Sequence, residues 1–272
     1  MPFFHNDGVE LFYTSEGTGP PILLLHGWAC DSHDWSFQIP FLLDLGFNVI
    51  ALDQRGHGRS TAPSSYSTYD LNNYAADAIA LLKHLNIKSA ILIGHSMGTV
   101  ISSVIASTYP EYITALVLVH PIYGSAPPAL PQIAQEMRAN PDGARELAED
   151  FWKGYMYKDD TPAWLKTWTL RRLVGMPLDA LIGSIVCLVN VFGTVMGQTE
   201  DTKAFMQKRK GPRLVFTTLP PAEPWERVIG VEDGVDGIHP LTQGTFSHIV
   251  QHEEFNKILG DWLSARGFVV KK

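Results

Sequence analysis

The stretch that most constrains this chain is Leu92-Ile93-Gly94-His95-Ser96-Met97-Gly98, where an apolar run from Ala90 to Ile93 ends in Gly-x-Ser-x-Gly. The run reads as a buried parallel strand, and the apolar positions of Thr99 to Tyr109 then recur at helical spacing until Pro110 stops them. A serine between such a strand and such a helix occupies a strained turn that lifts its hydroxyl clear of the sheet. Glycines two positions to either side leave room for that turn. The spacing predicts that Ser96 displays its hydroxyl as a nucleophile does.

The flanking chain repeats the same alternation. Val9 to Ser15 has strand character and ends at Glu16-Gly17-Thr18-Gly19-Pro20-Pro21, a run of residues that break regular structure. Ile22 to Leu25 and Asn48 to Leu52 are continuous aliphatic runs, as strands covered on both faces should be. Between them Asp34 to Leu45 reads as a helix closed by Gly46. Asp70 is placed to cap a helix carrying Leu71, Tyr74, Ala78, Leu81, Leu82 and Leu85 on one face. Ala115 to Val119 and Arg213 to Thr217 are further strands, and His239 lies in or near the last one. Strand and helix alternating with short loops imply a doubly wound, mostly parallel α/β sheet.

Composition limits what such a sheet serves. At 272 residues the chain accommodates one large domain, or one domain with an insertion. With 45% apolar and 18% charged residues it reads as an ordinary globular enzyme. A formal charge of -7 offers no basic footprint for nucleic acid. Cys30 and Cys187 are far apart and lack metal-ligand spacing, so a reducing, cytoplasmic setting without disulfides is expected. Met1 to Gly8 has no signal-peptide character, and Ala180 to Met196, interrupted by Gly183, Ser184, Asn190, Gly193 and Thr194, falls short of a membrane span. It reads instead as a buried or pocket-facing helix.

Three motifs in order, His26-Gly27-Trp28, Asp53-x-Arg55-Gly56-x-Gly58-x-Ser60 and Gly94-His95-Ser96-Met97-Gly98, resemble the α/β-hydrolase superfamily, and most its esterase, epoxide hydrolase and C–C hydrolase branch. The resemblance covers residues 9 to 120 closely and 211 to 265 more loosely. It implies an eight-stranded sheet with a helical cap inserted after the sixth strand, so that 1–122 and 211–272 form the core and 123–210 the cap. It also implies that Ser96 is the nucleophile and that the backbone N–H groups of Trp28 and Met97 form an oxyanion hole. His26 is expected to buttress the turn before Trp28. Asp53, Arg55 and Ser60 are expected to pin their loop through charge-assisted hydrogen bonds. His57 and His95 carry no assigned role.

The segment matching the cap runs from Pro127-Pro128-Ala129-Leu130-Pro131 to Gly211-Pro212 and contains Phe151, Trp152, Tyr155, Tyr157, Trp164, Trp168 and Phe192. Most such aromatics form cap core, but together they favour a small apolar or aromatic substrate shielded from water.

The C-terminal third departs from the family pattern. The family's acid follows the strand here placed at Arg213 to Thr217, yet Thr218-Leu219-Pro220-Pro221-Ala222-Glu223 contains no aspartate, and Glu223 is the nearest carboxylate. Aligning the terminal Glu254-Phe255-Asn256 with the family pattern puts Thr245 where the histidine belongs. Threonine cannot act as a general base near neutral pH, so His248 is the expected base and Glu223 the expected acid, with His120 and His239 as competitors and His252 on a helix surface.

Three functions stay open on these residues. One is a serine hydrolase of an ester, lactone or C–C bond in a polyketide-like substrate; another is a cofactor-free lyase or cyclase; the third is a ligand-binding homologue with a degenerate triad. No motif supports a metal, heme or flavin. The expected partner is a small molecule, with neither nucleic acid nor membrane, and oligomeric state is not legible.

Overall fold

Eight strands form one sheet in the order β1-β2-β4-β3-β5-β6-β7-β8, in a computed structural model that describes residues 3–124 and 127–269. The strands are β1 (Phe3–Asn6), β2 (Val9–Glu16), β3 (Pro21–Leu25), β4 (Asn48–Leu52), β5 (Ala90–His95), β6 (Ile113–Val119), β7 (Arg213–Thr217) and β8 (Gly237–Pro240). The two pairings that involve β2 are antiparallel, and β4 through β8 run parallel. The eight-stranded, mostly parallel, doubly wound sheet is the expected one.

The aliphatic runs alternate between two apolar layers. Leu23, Leu25, Ile50, Leu52 and Leu92 join a core with α2 (Leu71–His84) and α3 (Met97–Thr108), while Ile22, Leu24, Val49, Ile91 and Val117 pack with α1 (Gln38–Asp44) and the C-terminal helix His252–Ala265. Each leucine or isoleucine so buried contributes roughly 1.5–3 kcal/mol. Asp70 caps α2 as predicted, its carboxylate accepting from the Asn72 N–H at 2.8 Å, an interaction typically worth about 1 kcal/mol.

Two local readings are corrected. The helix expected over Asp34 to Leu45 is split into a 3-10 turn at Ser32–Trp35 and α1, which starts only at Gln38. Pro40 sits in the first turn of α1, where its missing N–H costs nothing, but its ring would clash with the carbonyl four residues back in a longer helix. β1, an edge strand, had no sequence signal of its own and is held by antiparallel pairing with β2.

Between β6 and β7 the chain forms α4 (Leu130–Ala139), α5 (Ala144–Tyr155), α6 (Ala163–Gly175), α7 (Leu178–Phe192) and α8 (Glu200–Met206). After β7 come α9 (Ala222–Ile229), α10 (Ser247–Val250) and α11, the C-terminal helix already described. Among the described residues no single helix is long and apolar enough to cross a membrane. The end of the helical insertion is tied to the core by a fully buried ion pair, Arg209 Nη2 to Glu226 Oε2 at 2.9 Å, with the Tyr123 hydroxyl also donating to Glu226.

The loop after β4 is pinned as expected. Asp53 accepts from the N–H groups of Ser32 at 2.8 Å and Arg59 at 3.0 Å, Arg55 is paired with Asp77, and the Phe12 N–H donates to the Ser60 hydroxyl. Gly58, with φ of +55°, sits so close to Asp53 that a Cβ would lie 2.3 Å from its carboxylate. His57 is buried in the same loop with Nδ1 2.9 Å from the Arg55 carbonyl, and desolvation pushes its pKa down to about 3.

Two outcomes follow from this packing. Glu226→Ala leaves Arg209 charged and without its carboxylate partner in the interior, and urea denaturation should register a loss of about 3–5 kcal/mol. His57 stays neutral in the folded state while an unfolded histidine protonates near pH 6.5. Its contribution is therefore intact above pH 6.5 and drains away as pH falls toward 3, at about 1.4 kcal/mol per pH unit. Stability measured at a series of pH values should fall less steeply below pH 6.5 in His57→Gln; an unchanged slope would contradict the assignment.

Candidate active site

The Gly94–Gly98 turn has the geometry that its spacing predicts. Ser96 has φ of +49° and ψ of -112°, between the end of β5 and the start of α3. Both glycines are sterically required: a Cβ on Gly98 would lie 2.1 Å from the Leu25 carbonyl oxygen, and one on Gly94 would lie 2.3 Å from that of Gly98. Real Cβ atoms do not approach that closely, so α3 can start against β3 only with glycine at both positions.

The His26–Ala29 turn faces this elbow across Gly27, where an added Cβ would come within 3.3 Å of Ser96 Cβ. His26 is buried with Nδ1 2.8 Å from the Gly27 carbonyl, while its Nε2 accepts from the Gln54 N–H at 3.0 Å. That is the buttressing expected of it. Ala29 takes φ of +53°, closing the turn. The N–H of Met97 is the first of α3 and has no helical acceptor. Among the described residues neither it nor the Trp28 N–H donates to a protein group. The Trp28 ring rests against Trp152 of α5, and its Nε1 donates to Ser184 of α7 at 3.0 Å.

These pieces open on a cavity of about 340 Å³ between the sheet's C-terminal edge and the helical insertion. Gly27, Trp28, His95, Ser96, His120 and Thr245 line it from the sheet side, and Phe151, Trp152, Tyr155, Ile185, Leu188 and Phe192 from the helices. Of the seven aromatics singled out in the insertion, these four reach the cavity. Tyr157 and Trp168 pack elsewhere, and Trp164 is half exposed.

The predicted relay is not assembled. His248 lies on α10, fully buried between the Trp35 ring at 5.0 Å and the His95 ring at 4.3 Å, and it does not line the cavity. Neither of its ring nitrogens has a hydrogen-bond partner, and burial, with the neighbouring His95 second, holds its pKa well below the ordinary range. Glu223 lies in the first turn of α9 and pairs with Arg227 at 2.9 Å on the surface. The physical reason is local. The chain has turned into helix by Ser247, so residue 248 points into the core rather than back toward the elbow. Proline-rich Pro220-Pro221 starts α9 early, and Glu223 follows it outward. His252 starts α11 with its ring stacked on Phe37, and His239 packs against Phe216.

Two histidines, His95 and His120, line the cavity with Ser96. In the parallel pairing of β5 with β6, His95 is opposite Val119, and the Ser96 N–H donates to the Val119 carbonyl at 2.9 Å. His120 therefore follows Val119 as Ser96 follows His95, on strands that lie about 5 Å apart across the sheet. It adopts φ of +54°, and its Nδ1 is hydrogen-bonded to the hydroxyl of Thr218, the first residue after β7. Burial lowers its pKa to about 3, so it is a neutral imidazole. His95 is also neutral and buried, pushed down to about 4 chiefly by desolvation, and its Nε2 lies 2.8 Å from the Thr245 carbonyl. The Thr245 side chain occupies the cavity wall and contacts Met156 Sδ. The usable signal in the sequence for His120 was its place at the end of a strand neighbouring the elbow strand; nothing pointed to Thr218.

The family model described as alpha/beta hydrolase fold matches residues 20–171, more than half of the chain. A non-heme haloperoxidase of Rhodococcus erythropolis is 38% identical over 144 residues, 53% of this chain and 49% of the relative. A bifunctional esterase/perhydrolase of Acinetobacter calcoaceticus is 33% identical over 156 residues, 56% of this chain and 53% of the relative. Each of these matches spans about half the relative's length. Across nearly the whole chain the backbone is similar to an enol-lactonase from Burkholderia xenovorans, with a TM-score of 0.81 at 20% identity and coverage of 97% and 100% of the two chains. It is also similar to a thermophilic esterase from Thermogutta terrifontis, with a TM-score of 0.81 at 19% identity and coverage of 99% and 98%. On the family match, with the fold and the elbow in agreement, this chain belongs to the α/β-hydrolase fold family.

Proposed function

We propose that this protein is a serine-nucleophile hydrolase of esters or lactones with a small apolar acyl group, in which Ser96 attacks, the N–H groups of Trp28 and Met97 receive the developing oxyanion, and His120 takes the serine proton. The observation that carries the reading is the β5–β6 register, which supports Ser96 and His120 as neighbours at one apolar cavity beside two N–H groups without protein acceptors. Relatives named as an esterase/perhydrolase and an enol-lactonase favour the same reaction class. The helices between β6 and β7 act in it as the cap, shielding the acyl-enzyme from all but the attacking water.

With Nδ1–H donating to the Thr218 hydroxyl, His120 Nε2 keeps its lone pair for the proton of Ser96. Proton transfer turns a neutral ring into an imidazolium, and a hydroxyl stabilises that charge far less than a carboxylate does. Turnover is accordingly slow compared with a relay that ends in an acid. Apart from Cys30, Ser96, Thr245 and the two histidines, the cavity lining is glycine, apolar or aromatic, which favours a hydrocarbon-rich or aromatic substrate.

Hydrolysis of p-nitrophenyl butyrate tests the reading. Ser96→Ala should lower kcat by at least about 10³-fold, and His120→Ala by about 10²–10⁴-fold with little change in KM. Thr218→Asp puts a carboxylate on His120 Nδ1 and should raise kcat at least about 10-fold. Undiminished turnover in Ser96→Ala would rule out the nucleophile. Undiminished turnover in His120→Ala, or no gain in folded Thr218→Asp, would remove the proposed base.

A further inference from the structure

Behind the cavity wall, three residues from separate segments converge on one point. Cys30 follows the His26–Ala29 turn, Asp34 lies in the 3-10 turn at Ser32–Trp35, and His95 ends β5. One donor atom from each, a sulfur, a carboxylate oxygen and an imidazole nitrogen, lies within 4.8 Å of the other two, and all three residues are buried. Donors around a tetrahedral zinc ion stand about 3.5 Å apart, so small side-chain shifts would close this triangle on an ion.

His95 leaves one buried polar atom here without a hydrogen-bond partner. His95 Nδ1 is fully buried and unpartnered, while Nε2 is 2.8 Å from the Thr245 carbonyl. With the proton on Nε2, the Nδ1 lone pair is free, and a metal-bound histidine usually has its other nitrogen engaged in this way by a backbone carbonyl. Arg172 Nη1 forms an ion pair with Oδ1 of Asp34 at 2.5 Å, and Oδ2 has no hydrogen-bond partner. Arg172 also pairs with Asp31 at 3.0 Å. One arginine thus faces two carboxylates, Asp34 fully buried and Asp31 partly exposed, and cannot neutralise both. A divalent ion that displaces the thiol proton brings the local sum to zero.

We propose that Cys30, Asp34 and His95 form a site for Zn²⁺, open on its fourth side toward the cavity that Cys30 and His95 line. The thiolate selects a borderline-soft ion over Mg²⁺ or Ca²⁺, and a set of one sulfur, one nitrogen and one oxygen suits zinc. Binding converts the Cys30 thiol and the ion into a zinc thiolate and one released proton; the carboxylate and the imidazole enter already deprotonated. The three donors are scattered over 66 positions of sequence (30 to 95), which is why no ligand spacing betrays them.

Chelator-dialysed full-length protein should bind one Zn²⁺ per chain by isothermal titration, with about one proton released as judged in buffers of different ionisation enthalpy. Co²⁺ should give a thiolate-to-metal charge-transfer band. Cys30→Ser and His95→Gln, each checked for folding by circular dichroism, should weaken Zn²⁺ binding about 100-fold or more and abolish or displace the band. Cys187→Ser, the other buried cysteine, should keep both. Absence of binding by wild type, or binding and band unchanged in Cys30→Ser or in His95→Gln, would overturn the site.

Discussion

The close approach of α3 to β3 governs the rest of the structure. Gly98 brings its backbone to the Leu25 carbonyl at a separation no side chain tolerates, and Gly94 does the same toward Gly98. That contact drives Ser96 into positive φ, where the hydroxyl stands above the sheet at the mouth of a cavity. Non-glycine residues in that region are strained, and the strain is borne by a sheet whose two faces are filled with aliphatic side chains. The neighbouring turn is bound to the same geometry, because Gly27 must be bare for His95 and Ser96 to lie against it.

Behind the elbow the chain buries an unusual number of ionisable groups. His26, His57, His95, His120 and His248 are all nearly inaccessible, and burial lowers the pKa of each. Neutral imidazoles are cheap to bury compared with charged ones, and they leave a row of lone pairs and N–H groups that hydrogen bonds only partly absorb. A neutral His120 is in the protonation state that accepts a proton from serine, but it is a weak base. Both the proposed slow turnover and the proposed metal site draw on this one feature, a desolvated layer of neutral histidines.

Much of the architecture could be read from the chain because it rests on local pattern. Ile22 to Leu25, Asn48 to Leu52, Ala90 to Ile93 and Ala115 to Val119 are strands because continuous aliphatic runs need cover on both faces, and Asp70 and the Asp53 loop carry their own hydrogen-bonding logic. Strand β1 was not legible, since four mixed residues at an edge owe their conformation to β2. The proposed base has no such local signature. Analogy points to residues near Thr245, whereas the proposed partner of Ser96, His120, owes its place to the register of β5 against β6 and to a threonine that follows β7. His248 has suitable chemistry and an unsuitable place, because the helix that begins at Ser247 turns it into the core. Cys30, Asp34 and His95 similarly meet only through tertiary folding.

The central proposal is that Ser96 is activated by His120, the residue that follows β6. Reaction with a fluorophosphonate, followed by intact mass and peptide mapping, reads this directly because the adduct forms only on an activated nucleophile. The expected result is a single adduct on the peptide containing Ser96, formed about 10²-fold more slowly or worse in His120→Ala. Equal rates in wild type and His120→Ala, or an adduct on any other residue, would contradict it.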